Sequence, residues 1–177
     1  MDRNLSADLF STDDDLKPLL GKHWIHQCLD DELYEVYVKN RNTIDFRTLT
    51  GVVAGRWFKG QHANIVRLSS KANLFNISWY EATGACASLI INLDERIIKL
   101  NVFFPRWIMN DPDKTIGFEN EHVDEILRQR DAGPTYPLGS LHEFAKLKFI
   151  EDCGENNETV IACHPKDLPD GYLDRSN

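Results

Sequence analysis

Alternation of apolar and polar side chains constrains this chain more than any other feature of its sequence. A period of two is typical of β-strands that bury one face and expose the other. It is clearest in two runs, Tyr34-Glu35-Val36-Tyr37-Val38 and Phe75-Asn76-Ile77-Ser78-Trp79. The sequence therefore predicts a protein built mainly of strands.

Further runs rich in β-branched, aromatic and aliphatic residues continue this pattern. They cover residues 43–49, 52–58, 64–68, 85–93, 96–104, 144–150 and 159–162. Short strands joined by tight turns predict an antiparallel meander, which must protect its own edges. A closed barrel of about eight to ten strands does so and leaves room for one small ligand. We expect an all-β fold, a single lipocalin-like antiparallel β-barrel over residues 21–164.

The remaining segments are predicted to lie outside the strands. One short helix is expected at residues 121–130, where apolar side chains recur at helical spacing and a Gly-Pro pair follows. Residues 1–20 are expected to form a flexible acidic tail, with one helical turn at residues 16–20. Residues 165–177, which contain Pro and Gly, are expected to form a loose C-terminal tail.

Composition excludes several classes of function. The chain has 20 Lys and Arg against 28 Asp and Glu, a formal charge of −8, so neither nucleic acid nor an anionic membrane is an expected partner. The N-terminus lacks the apolar stretch of a signal peptide, and we expect a cytoplasmic protein. The four cysteines form no CxxC pair, and no metal or nucleotide motif occurs. We therefore expect no metal and no cofactor.

Glu81 is the first candidate for chemistry. It shares the face of its strand with Trp79 and Ile77. If that face lines the barrel, Trp79 forms part of the wall of a cavity that also contains Glu81. Desolvation there favours the neutral form of the Glu81 carboxyl group, which can donate a proton. In the alternative, the strand ends at Trp79 and Glu81 is a solvated turn residue. The sequence leaves both open.

Arg56 and Tyr34 are the next candidates. In the run 52–58, Arg56 lies on the same face as the alternating apolar residues, so we expect its side chain to point inward. A buried guanidinium needs a carboxylate, and Glu81 is the obvious partner. That pairing favours the charged form of Glu81, against desolvation, and the sequence does not decide which effect is larger. Tyr34 lies on an apolar face, either as a site residue or as an ordinary core tyrosine.

A set of motifs is spread along residues 21–163. They are Tyr37-Val38-Lys39-Asn40, Asn42-Thr43-Ile44-Asp45-Phe46-Arg47, Gly51-Val52-Val53-Ala54-Gly55-Arg56-Trp57, Ile77-Ser78-Trp79, Glu81-Ala82-Thr83-Gly84, Phe103-Phe104-Pro105-Arg106-Trp107, and Cys153-Gly154 with Cys163. In order and spacing this set resembles the phenolic acid decarboxylases. The resemblance implies a lipocalin-like barrel that forms a homodimer and removes CO2 from p-hydroxycinnamic acids without cofactor or metal.

The resemblance also implies roles for individual residues. Glu81, followed by Thr83, matches the family's barrel carboxylate, which handles the proton. Arg56 matches its pocket arginine and Tyr34 the tyrosine of its second strand. Glu143 matches a later glutamate that the family uses near the pocket.

The first hairpin departs from the family pattern. The family has Tyr-Thr-Tyr-Asp-Asn-Gly-Trp, with both tyrosines bonded to the polar end of the substrate, whereas this chain has His26-Gln27-Cys28-Leu29-Asp30-Asp31-Glu32. Losing such a pair of hydrogen bonds typically costs several kcal/mol. His26 is either a wall histidine or a base or donor for a phenol. Cys28 is expected to line the pocket rather than to act as a nucleophile.

Three functions remain open at this point. The first is a decarboxylase with an altered substrate range. The second is a relative that protonates an alkene and then cyclises or isomerises a larger alkenyl phenol. The third is a non-catalytic barrel that binds a hydrophobic aromatic molecule. All three share a small aromatic molecule as the ligand.

Overall fold

The computed structural model describes residues 11–177 and confirms the all-β prediction, with one large curled sheet and a few short helices. The strands are β1 (Lys22–Cys28), β2 (Leu33–Asn40), β3 (Thr43–Thr48), β4 (Arg56–His62), β5 (Asn64–Arg67), β6 (Leu74–Tyr80), β7 (Cys86–Asn92), β8 (Ile97–Phe104), β9 (Gly117–Phe118) and β10 (Gly139–Asp152). The α-helices are α1 (Asp13–Leu16), α2 (Arg106–Asn110) and α3 (Val123–Ala132). No helix within residues 11–177 has the length and apolar character needed to cross a bilayer.

The strand order shows how the sheet closes. It runs β5-β6-β7-β8-β10-β1-β2-β3-β4-β9, and all neighbours are antiparallel except β4 and β9. Only Ala63 separates β4, which pairs with β3, from β5, which pairs with β6. The chain therefore links the two ends of the sheet. At this seam Gln61 Nε2 also donates to the backbone oxygen of Tyr80, 3.0 Å away. The result is the lipocalin-like barrel expected from the sequence.

Alternate side chains of the strands fill the barrel. Trp24, Val36 and Phe75, for example, belong to one buried cluster with members from β1 to β3, β5 to β8 and β10, and Phe58 of β4 packs against it. Their neighbours point to the outer face, where Tyr37 packs with Trp57 in a separate cluster. The period of two thus sorts residues between the cavity side and the outside.

The prediction of a flexible N-terminal tail is wrong for residues 11–20; residues 1–10 lie outside the described part of the chain. Thr12 caps α1 through a reciprocal capping box with Asp15. Leu16 and Leu19 are fully buried in the barrel cluster. Their burial removes apolar surface from water, which stabilises this segment where it closes one end of the barrel. The helical turn lies at Asp13–Leu16 rather than at residues 16–20.

The C-terminal segment 165–177 is not loose, as the sequence suggested. Tyr172 and Leu173 pack against Ile25 on the outer face of the barrel. The Tyr172 hydroxyl donates to the buried Glu35 carboxylate. Apolar burial and this buried hydrogen bond hold the segment in place, and neither is visible from its Pro and Gly content.

Other boundaries also differ from the predicted ones. Residues 52–55 form a turn, because Gly51 and Gly55 adopt φ values of +93° and +95° that favour glycine, so β4 begins only at Arg56. Residues 159–161 form a turn and residue 162 is irregular, so the predicted strand is absent there, and β10 extends well beyond the predicted 144–150. Helix α3 lies two residues further along the chain than predicted.

Candidate active site

A cavity of about 420 Å³ lies inside the barrel, within the size range of small-molecule pockets. Its walls are mainly apolar, from Phe46, Leu89 and Val102 among others, and Trp79 lines it as predicted. Val53 of the β3–β4 turn and Ile108 of α2 also line it, so the cavity lies toward the barrel end opposite α1. Charged and polar side chains reach it from the start of β4, the end of β6 and the first hairpin.

Glu81 is buried, with 7% of its surface exposed, and does not behave as a solvated turn residue. It directly follows β6, and its backbone N–H bonds to Ala85 across the turn. Its carboxylate accepts hydrogen bonds from Trp79 Nε1 and Thr83 Oγ1, each 3.0 Å away, and from Arg56 Nη2. The carboxyl group is therefore fixed at the cavity wall by three donors.

Arg56 lies beside Glu81 at the cavity wall, as the sequence predicted. It is the first residue of β4 and extends over the ring of Phe46, whose centroid lies 5.4 Å from its Cζ. Its Nη2 donates to Glu81 and its Nε to Glu119. Burial by itself lowers the pKa of Arg56, but the two carboxylates outweigh it and raise that pKa.

Glu119 is the residue of this cluster that the sequence did not reveal. It follows β9, whose parallel pairing with β4 sets Phe118 opposite Trp57, with ring centroids 4.0 Å apart. Glu119 is 2% exposed, and its Oε2 is buried without a hydrogen-bond partner among the described residues. Burial and the nearby Glu81 raise the pKa of Glu119, and they outweigh the opposing effect of Arg56. Glu119 lies outside the strand alternation, so only the need of Arg56 for counter-charge could have indicated it.

His26 provides the polar group of the first hairpin. Burial lowers its pKa to about 4, so the ring is neutral near pH 7. Trp24 Nε1 donates to His26 Nδ1 at 3.2 Å, which assigns the proton of the neutral ring to Nε2. Nε2 has no protein partner within residues 11–177, and His26 lines the cavity. The ring stacks on Tyr34, with centroids 5.6 Å apart, and offers one N–H donor to a ligand.

The Tyr34 hydroxyl is already engaged. It donates to Glu32 Oε2 at 2.6 Å, and both side chains line the cavity. Burial and the Glu32 carboxylate raise the pKa of Tyr34, so its phenol stays neutral. Glu32 Oε1 also accepts from the Val52 N–H at 3.3 Å, and any Cβ at position 51 would overlap this carboxylate, which explains Gly51.

Cys28, Thr83 and Glu143 are not among the residues that line the cavity, and their role as substrate contacts stays a prediction. Cys28 is buried within the barrel cluster, and burial, with the Glu143 carboxylate, raises its thiol pKa to about 12. Such a thiol is a poor nucleophile. Thr83 instead supports Glu81. The structure thus brings five of the eight predicted residues to the cavity: His26, Tyr34, Arg56, Trp79 and Glu81.

One cluster outside the cavity has metal-binding residue types. Ligand atoms of His23, Glu151 and Cys153 lie within 4.8 Å of one another. Both His23 nitrogens are already bonded, however, Nδ1 to Glu151 at 2.8 Å and Nε2 to Glu35 at 2.6 Å. An ion would have to displace one of these carboxylates, and it would lie on the outer face of the sheet.

Known proteins match nearly the whole chain. The model of the family described as Phenolic acid decarboxylase (PAD) matches residues 16–175. The chain is 41% identical to a protein of Vibrio cholerae named probable phenolic acid decarboxylase, over 158 residues that cover 89% of this chain and 90% of that one. It is 36% identical to phenolic acid decarboxylase PadC of Bacillus subtilis over 150 residues, 85% of this chain and 92% of that one.

Proposed function

Because the chain belongs to the phenolic acid decarboxylase family, as its motifs indicated, we propose that its barrel is a cofactor-independent acid–base enzyme that removes CO2 from a hydroxycinnamic-type acid. The observation that carries this proposal is the buried contact between Glu81 and Arg56 in the wall of an apolar cavity. There a carboxyl group can exchange a proton with a bound alkene, while bulk water is excluded.

Arg56 has hydrogen-bonding capacity left for a substrate. Its Nε and Nη2 bind the two glutamates, whereas its Nη1 has no partner among the described residues. Two N–H groups on a buried cation suit an anionic oxygen. We assign Arg56 to the substrate carboxylate and Glu81 to the adjacent alkene.

The proposed reaction has two stages, protonation of the alkene and loss of CO2. Glu81, having taken up a proton from solvent, gives it to the alkene carbon that bears the carboxylate, and the phenol loses its proton to give a quinone methide. The bond to CO2 then breaks, its electron pair forms the vinyl double bond, and the ring regains aromaticity as a phenolate. Reprotonation gives a vinylphenol, so each carboxylate consumed takes up one proton. General acid catalysis of this kind contributes about 10² to 10⁴-fold.

The first hairpin favours a second candidate function. It offers one free neutral donor, the Nε2–H of His26, because Glu32 already binds the Tyr34 hydroxyl. Such a polar end suits a phenol or ether oxygen, with the Glu32 carboxylate as acceptor. The same alkene protonation at Glu81 then leads to ring closure by a neighbouring phenol, or to isomerisation through proton loss at another carbon. Neither outcome changes the mass of the substrate.

Product analysis distinguishes the candidates. The protein is incubated with hydroxycinnamic acids and, separately, with alkenyl phenols that lack a carboxyl group, and products are identified by mass spectrometry. Vinylphenol and CO2 in equal amounts support decarboxylation, and a product of unchanged mass supports cyclisation or isomerisation. Binding without turnover of either class contradicts both and identifies a binding barrel. Glu81→Gln should lower turnover by about 10² to 10⁴-fold, and Glu95→Gln, at an exposed carboxylate, is the matched control.

A further inference from the structure

The cluster around Arg56 contains more negative than positive groups. Glu81 and Glu119 bind two edges of one guanidinium, and the exposed fractions of the Arg56, Glu81 and Glu119 side chains are only 12%, 6% and 1%. If both carboxyl groups were ionised, one buried negative charge would have no partner. Buried charges without a partner are strongly unfavourable, and a group so placed takes up a proton instead.

The contacts indicate which glutamate carries that proton. Glu81 accepts three hydrogen bonds that occupy both of its oxygens. Glu119 accepts one, from Arg56 Nε to its Oε1, while its Oε2 is buried and has no partner within residues 11–177. The charged groups that face Glu119 are Arg56 from β4 and Glu81 from the end of β6. An orphaned, buried oxygen is far more stable as a neutral hydroxyl than as part of an anion.

We propose that Glu119 is a neutral carboxylic acid, protonated on Oε2, which acts through Arg56 as a positioning residue for substrate binding. Its catalytic consequence rests on the function proposed above. The neutral acid holds the Nε edge of Arg56 with Oε1, and this leaves the full positive charge for Glu81 and for an anionic substrate oxygen at Nη1. Ionised Glu119 competes with that oxygen, so the substrate binds well only while Glu119 keeps its proton.

Three variants separate this role from a merely structural one. Glu119→Gln imitates the neutral acid in shape and hydrogen bonding. Glu119→Ala removes the partner of Arg56 Nε. Glu121→Gln is the matched control, because Glu121 is exposed in the same turn.

Infrared spectroscopy of the whole protein at neutral pH tests the protonation without any substrate. In difference spectra against Glu119→Gln, the wild type and Glu121→Gln should each show the carbonyl band of one protonated carboxylic acid, whereas the buried Asp45 contributes equally to all three proteins and cancels. No such band in the difference between the wild type and Glu119→Gln overturns the proposal.

Stability against pH is a second test that needs no turnover. Because the Glu119 pKa is raised on folding, the native protein holds this proton more tightly than the unfolded chain does. The native protein therefore loses stability as pH rises from the ordinary glutamate pKa to the raised pKa of Glu119. Over this pH interval the unfolding midpoint of Glu119→Gln should therefore rise relative to that of the wild type. A constant difference between the two contradicts the proposal.

Kinetics then tests the link to the substrate. With a carboxylate substrate, KM of the wild type should rise about tenfold as Glu119 ionises, whereas Glu119→Gln should keep a low KM, within about threefold of the wild-type value at neutral pH. Glu119→Ala should raise KM at every pH. An alkaline rise in KM that persists in Glu119→Gln overturns the positioning role. Complete inactivity of the wild type would contradict the proposed function, while the infrared and stability tests would still decide the protonation of Glu119.

Discussion

Arg47 and Arg56 are both buried and both bind a buried glutamate, yet their surroundings differ. Arg47 Nε binds Glu35 at 2.6 Å, and Glu35 also contacts His23 and the Tyr172 hydroxyl. Despite the cost of burial, the hydrogen bonds and charge interactions of His23 and Arg47 lower the Glu35 pKa to about 2. Glu35 and Arg47 also contribute to the cavity wall, but their charged groups bind Cys163 and Tyr172 of the C-terminal part of the chain. This outer cluster has several partners for one carboxylate.

The cluster at the cavity has the opposite balance. Arg56 faces two carboxyl groups, and burial raises the pKa of Glu119. Its Nη1 is free among the described residues. Satisfied buried networks stabilise a fold, whereas perturbed groups with spare hydrogen-bonding capacity are typical of functional sites. The comparison shows that a buried Arg–Glu pair does not reveal its role by itself. A carboxylate surrounded by several donors indicates a structural role, whereas two carboxyl groups around one arginine with a free N–H group indicate a functional one.

The largest expected effect is on catalysis. Glu81→Gln should lower kcat by about 10² to 10⁴-fold, because it removes the proton donor while the amide keeps the shape of the side chain. Thermal unfolding, measured alongside steady-state rates, should show a folded variant. A kcat within about twofold of the wild type would contradict the role of Glu81.

The matching change in the outer cluster should act on stability. Glu35→Gln removes the negative charge between Arg47 and His23, which should lower the free energy of unfolding by roughly 3 kcal/mol. Urea unfolding measures this, with Glu155→Gln, at an exposed position, as the control. The kcat of the folded variant should be unchanged. A loss of kcat without a loss of stability would contradict the structural role of the Glu35 cluster.

The same substitution makes a pH prediction. The Glu35 pKa is depressed on folding, so its contribution to stability is present above the ordinary glutamate pKa and is lost as pH falls toward about 2. The stability gap between the wild type and Glu35→Gln should therefore close in acid. A gap that widens on acidification would contradict this assignment.

A smaller effect is expected at the hairpin. His26→Phe keeps the stacking on Tyr34 but removes the Nε2–H, so substrate affinity should fall about tenfold with a smaller change in kcat. Titration of binding and KM both measure this. His142→Phe, on the exposed part of β10, should leave affinity unchanged. Equal effects of the two substitutions would show that His26 does not contact the substrate.

The smallest effect is expected for Tyr172→Phe. It removes one hydrogen bond to Glu35 and should cost about 1 kcal/mol of unfolding free energy, with no change in kcat. Tyr80→Phe serves as the control because that side chain is exposed. No loss of stability would show that this hydroxyl does not help to hold the C-terminal segment.

Local patterns predicted the barrel and the inward position of Glu81, because strand alternation depends on neighbouring residues. Contacts between distant segments could not be predicted in this way. Glu119 reaches Arg56 across 63 residues through the pairing of β9 with β4, and Leu16 closes the barrel from a segment with an acidic composition. Cys28 has inward parity, as expected, but parity does not tell how far along the barrel the cavity extends.

Reaction in D2O tests the central claim most directly, because Glu81 exchanges its proton with solvent before giving it to an alkene carbon. The account predicts that the product, whether a vinylphenol or an isomer of the substrate, carries one deuterium at that carbon, and that Glu81→Gln forms labelled product about 10² to 10⁴-fold more slowly. Product without deuterium at that carbon, or undiminished labelling by Glu81→Gln, would contradict it.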